Sequence, residues 1–147
     1  MSRTAAIGAA AVAAFAMSAS LALAGPNGQG ISGPFVGYWQ AKLTPAQATA
    51  RGDSRMAGSY VLVLGSNGLY VTLNPLDGAS AGKFAVLPNH RLRFFYDIGC
   101  SEGGVASPGG GIYSWSLGAN GLTLRLVKEG PCSGRTQTLT YPVWQSG

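Results

Sequence analysis

The sequence predicts an all-β domain, an eight-stranded antiparallel up-and-down barrel carrying one disulfide, and three observations support this. From Phe35 onward, short apolar segments are separated by Gly, Asn and Pro. Two stretches repeat as hairpins. Tight and long connections alternate along the chain, which gathers both cysteines at one end.

The elements follow in order. Arg3 precedes an Ala-rich apolar run that ends in Ala22-Leu23-Ala24, the layout of a signal peptide over residues 1–24. Gly25 rather than Cys follows the cut, so no lipid anchor is expected. Residues 25–34, GPNGQGISGP, lack large apolar groups apart from Ile31 and are expected to form a flexible leader. Residues 35–147 then form a single barrel domain. Its strands are expected at 36–42, 59–64, 69–73, 83–87, 91–97, 112–117, 122–127 and 137–143. Thr44-Pro45-Ala46-Gln47 supplies an N-cap, a first-turn Pro and a capping Gln, so one short helix is expected after the first strand, stopping at Gly52.

Residues 58–73, GSYVLVLGSNGLYVTL, align without gaps to 111–126, GIYSWSLGANGLTLRL, with 8 identities in 16 positions. Each copy reads as a strand, an Asn-Gly turn and a returning strand. The connections 65–68, 88–90 and 118–121 are tight, whereas 43–58, 74–82, 98–111 and 128–136 are long. In a meander all long loops lie at one end. Cys100 and Cys132 both fall there, and an even cysteine count in an exported chain predicts that they pair.

Alternation points Trp39, Ala41 and Leu43 inward, with Leu92, Phe94 and Tyr96, then Tyr113, Trp115 and Leu117. Leu122, Leu124 and Leu126 follow, and finally Leu139, Tyr141 and Val143. Gln40, Arg93, Asp97, Ser114, Ser116, Thr123, Arg125, Thr138 and Thr140 face outward. Closure into a barrel would remove the exposed edges of so wide a sheet. A sandwich is the rival fold, because Cys100, Trp115 and Cys132 echo an inter-sheet Cys–Trp–Cys spacing.

Gly37-Tyr38-Trp39 on the first strand resembles the G-x-W signature of lipocalins and related calycins. The wide and tight ends around eight strands are similar too. The resemblance implies a calycin-like small barrel of the kind that bacteria secrete. The chain departs from the core family in lacking a C-terminal helix. The basic residue that lipocalins place over the Trp is matched only by Arg135, read here at the start of the last strand.

Function is constrained mainly by exclusion. The net charge is +5, but the basic residues are scattered rather than arranged in a stripe, so nucleic acid is not an expected partner. No spacing suited to metal ligands occurs, and the only His, His90, sits in a tight turn. The cysteines are consumed by pairing, and the few acids, Glu102 and Glu129 among them, read as solvated loop charge. The chain is therefore read as no enzyme, without a cofactor. It is expected to be a secreted monomer, extracellular or periplasmic and free of the membrane once the signal is cut.

The first expected function is binding of a small apolar or aromatic ligand through Tyr60, Phe94, Tyr96, Tyr113 and Trp115. Arg51 and Arg55 on the first long loop would meet an anionic group. The second is binding of an extracellular protein, for example protease inhibition by the N-terminal arm; a cell-surface module without a ligand is a third. The ligand reading requires an empty interior open at the disulfide end. The protein-binding reading is compatible with a filled one.

Overall fold

A computed structural model describes residues 30–147 apart from Asp77, 103–104, 108–109 and Pro131; the side chains of 99–102, 105–107 and 133 also lie outside the description. The expected signal peptide and most of the expected leader lie outside the described residues. Among those described, no helix is long and apolar enough to cross a membrane.

The chain runs β1 (Gly37–Leu43), α1 (Pro45–Ala50), β2 (Gly58–Leu64), β3 (Leu69–Asn74), β4 (Gly78–Leu87) and β5 (Arg91–Phe95). It continues through β6 (Asp97–Glu102), β7 (Val105–Ser107), β8 (Gly111–Gly118), β9 (Gly121–Lys128), α2 (Ser133–Thr140) and β10 (Gln145–Ser146). Among the described residues, eight strands form one antiparallel sheet in the order β10-β1-β2-β3-β4-β5-β8-β9, and β6 and β7 pair separately. Trp144 bridges to Leu122 on β9, while Gln145 and Ser146 pair with Gln40 and Trp39 on β1. The sheet thus curls into a nearly closed barrel whose seam is three residues long.

Seven expected strands occur at or near their expected places, and α1 forms with the capping box read from Thr44 and Gln47. The eighth does not. The alternation of Thr, Leu, Thr and Tyr predicts a strand over 137–143, yet 133–140 is α2. Arg135, Thr138 and Leu139 are its buried residues, at helical i, i+3, i+4 spacing, and their tertiary contacts override the β preference of the threonines. Arg135 is therefore a helix residue, and the closing strand is the short β10. The connection expected at 74–82 is also far tighter, because β4 begins at Gly78.

The inward set is Trp39, Leu43, Tyr60, Leu62, Leu64, Tyr70, Phe84, Leu92, Phe94, Tyr113, Leu122 and Leu124, all buried. Four expected inward residues are instead exposed: Tyr96, Leu117, Leu126 and Val143. Tyr96 has φ 52°, the left-handed region, which breaks the alternation between β5 and β6. Its ring is turned to solvent, and Asp97, expected outside, is turned inward and buried. Thr138 is likewise buried rather than outward-facing.

The two repeat hairpins differ in register by one residue. In β8–β9, Gly118 pairs with Gly121 and Leu117 with Leu122. In β2–β3, the turn holds one residue more: Leu64 pairs with Tyr70, and the Gly65 amide donates to the Leu69 carbonyl at 2.9 Å. A one-residue slip sends every following side chain to the other face. Leu122 and Leu124 are buried, whereas their counterparts Leu69 and Val71 are exposed, and Tyr70, Thr72 and Asn74 point inward instead.

Candidate functional site

The long-connection end is plugged by α2, and beneath it lies a cluster of buried polar side chains. Tyr70 comes from β3, Asp97 from β6, Tyr113 from β8 and Arg135 from α2, all buried, and the half-buried Ser80 of β4, Glu129 after β9 and Thr136 of α2 complete it. Arg135 Nη2 donates to Glu129 Oε1 at 2.6 Å and Nε to Oε2 at 3.4 Å, a bidentate pair. Its Nη1 stands 3.8 Å from Asp97 Oδ2, with the two side chains 2% and 4% exposed. The hydroxyls of Tyr70 and Ser80 donate to the two oxygens of Asp97, and that of Tyr113 donates to Glu129. Thr136 Oγ1 donates to Glu129 Oε2 at 3.1 Å.

The electrostatics follow from this enclosure. Burial, reinforced by the carboxylates that accept their protons, pushes the phenols of Tyr70 and Tyr113 well above the usual tyrosine range. Burial works against the charge on Glu129, but the hydrogen bonds from Arg135 and Tyr113 outweigh it and hold this carboxyl below its ordinary value. Arg135 is likewise opposed by burial and raised by Glu129, so it stays charged. Two carboxylates share one guanidinium, and each is also capped by a tyrosine. The arrangement serves to latch α2 onto the barrel. It offers a cation little, since the carboxylate oxygens already accept hydrogen bonds. Among the described residues no group of three His, Cys, Asp or Glu is placed to hold a metal ion.

The residues expected to bind a ligand are not brought together around a space. Tyr60, Phe94 and Tyr113 are 1%, 0% and 0% exposed. Phe94 packs edge-on against Tyr70 at 4.9 Å and against Tyr113 at 5.5 Å, and lies 6.1 Å from Phe84. The Tyr60 hydroxyl donates to the Met56 carbonyl at 2.7 Å. Trp115 is half-buried at the tight-turn end, between Phe35 at 5.1 Å and His90 at 5.0 Å. Tyr96 stands outside the barrel under Lys83. Arg51 covers the Tyr141 ring at 5.1 Å, and Arg55 is paired with Asp53 at 2.7 Å, both on the surface of the plugged end.

Glu129, read as solvated, is instead nearly enclosed and ion-paired. Cys132 is the residue before α2, and β6, which carries Cys100, lies against that helix. The Cys100 side chain, and with it the expected pairing, lies outside the described residues; none of those described is a free cysteine. Trp39 of the G-x-W stretch donates its indole N–H to the Phe35 carbonyl at 2.8 Å. Among the described residues the cations stacked on rings are Arg51, Lys83 and Arg93, none of them over this Trp.

Comparisons with protein families, with curated proteins and with solved structures found no match. The architecture and its buried cluster are therefore what bears on function.

Proposed function

We propose that the chain is an exported, calycin-like barrel that recognises another protein through its outer surface and is neither an enzyme nor a carrier. One observation favours this reading over the ligand-binding one: among the described residues, the inward side chains pack against one another with almost no exposed surface. A side chain lining a void large enough for a ligand exposes surface to that void, whereas Tyr60, Phe94 and Tyr113 expose almost none. Eight-stranded barrels can be packed solid or can hold one small molecule, and this one fits the first description. The Cys100–Cys132 bridge would tie β6 to α2 and strengthen the plug.

Recognition by a free N-terminal arm is less favoured. The Ile31 amide donates to the Ser66 carbonyl at 2.6 Å, and the Ile31 side chain packs against the core, so this part of the expected leader is docked on the tight-turn end. The deciding experiment is a titration of Trp115 emission with fatty acids and aromatic probes. No saturable change is expected. A saturable, one-to-one change that is lost in a folded Trp115→Ala variant would restore the carrier reading.

A further inference from the structure

The one-residue register difference between the repeat hairpins has a second effect, on the outside of the barrel. Leu69, Val71 and Leu73 are 43%, 39% and 45% exposed and form a ridge along β3. On one side the register sets Val71 beside Val63 and Leu73 beside Val61, and Tyr38 on β1 extends the row. On the other side Val71 lies opposite Ala81 and Leu73 opposite Ala79, so β4 forms a shallow trench beside the ridge. Among the described residues of this field none is charged. Lys42 and Lys83 mark its borders.

We infer that this face binds a second copy of the same chain, sheet against sheet, about a two-fold axis running along the strands between β3 and β4. Two properties select a second copy. The first is shape. Such an axis exchanges the two strands while keeping position along them, so Val71 of each copy sits over Ala81 of the other and Leu73 over Ala79. The face is complementary to itself, as an isologous contact requires. The second is charge. A chain of net charge +5 repels its own copies, and this neutral field lets two of them meet without opposing charges of like sign. An acidic or basic partner would find no counter-charge here.

The area sets the strength. Four strands about 4.8 Å apart, over about five residues each, make roughly 300 Å² of flat sheet. That is the size of the largest apolar patch on a typical monomer, which is often functional. With its polar rim it comes near the lower bound of specific interfaces, roughly 600 Å² per copy. The dimer is therefore reversible and concentration-dependent, in contrast to the monomer expected from the sequence.

Sedimentation of the purified protein over a concentration series tests this. A monomer–dimer equilibrium is expected. Val71→Glu and Ala81→Lys should each sediment as monomers with circular dichroism unchanged, since both positions lie outside the core. Mixing the two variants should restore the dimer, because the introduced charges then face each other across the axis. A protein that is monomeric at every concentration overturns the inference. So does a dimer untouched by both substitutions, or one that the exported protein forms only after residues 25–29 are also removed, which would mean that the chain covers this face itself. The fluorescence titration fails independently of this measurement, since a carrier can dimerise and a monomer can bind proteins.

Discussion

Arg135 holds together groups from both sides of the plug. Replacing it with Met would keep most of the packing but leave Glu129 and Asp97 buried without a counter-charge. Breaking a buried pair in this way typically costs about 3–5 kcal/mol. Denaturant unfolding of Arg135→Met should show that loss, and Arg135→Met combined with Glu129→Gln should recover part of it. Glu129 also sets a pH dependence. Its folded carboxyl titrates below the ordinary value of about 4.3, so the unfolded chain takes up the proton first. The stability that Glu129 contributes is full above that ordinary value and is lost as the pH falls through the folded value. Glu129→Gln should flatten this acid limb of stability against pH. None of these partners announces itself in the sequence. Asp97 looks outward by alternation, and only the left-handed backbone at Tyr96, a conformation with no Gly or Asn to signal it, turns it inward.

The two hairpins make the clearest case at the level of elements. Gly121 has φ 107°, and a Cβ there would collide with the Trp144 carbonyl, whereas one at Gly118 would meet open space. Gly121→Ala should therefore cost more than about 1 kcal/mol and loosen the seam, while Gly118→Ala should cost much less. Thermal unfolding of the two variants side by side measures the difference. The strands and the Thr44 capping box could be read from the chain because their signals are local: apolar alternation, Asn-Gly turns, a Thr-Pro-x-Gln start. α2 could not. Its composition favours a strand, and it is held helical by contacts with Tyr113 on β8 and with Glu129 just after β9. The register difference was equally hidden, since both turns carry the same Leu-Gly-x-Asn-Gly-Leu.

For the whole molecule, the eight strands of the barrel sheet and the position of both cysteine-bearing elements at one end agree with the sequence reading, whereas the state of the interior had to be seen in the fold. Inward aromatic residues line a cavity or fill a core depending on spacings that alternation does not encode. Of the aromatic candidates that alternation turns inward, Tyr60, Phe94 and Tyr113 do face the interior, Phe94 and Tyr113 against each other and Tyr60 against Trp144.

The short seam also sets an order in time. Most neighbouring strands are joined by a few residues, but Trp39 and Ser146 come from positions about a hundred apart. Contacts between such distant positions carry the largest loop-closure cost, so they form late and release early. In hydrogen–deuterium exchange, the amides of Leu122, Trp144 and Gly147, which bond across the seam, should trade their protons well before those in the middle of β2 and β3. Equal protection throughout would mean that the barrel opens only as a whole.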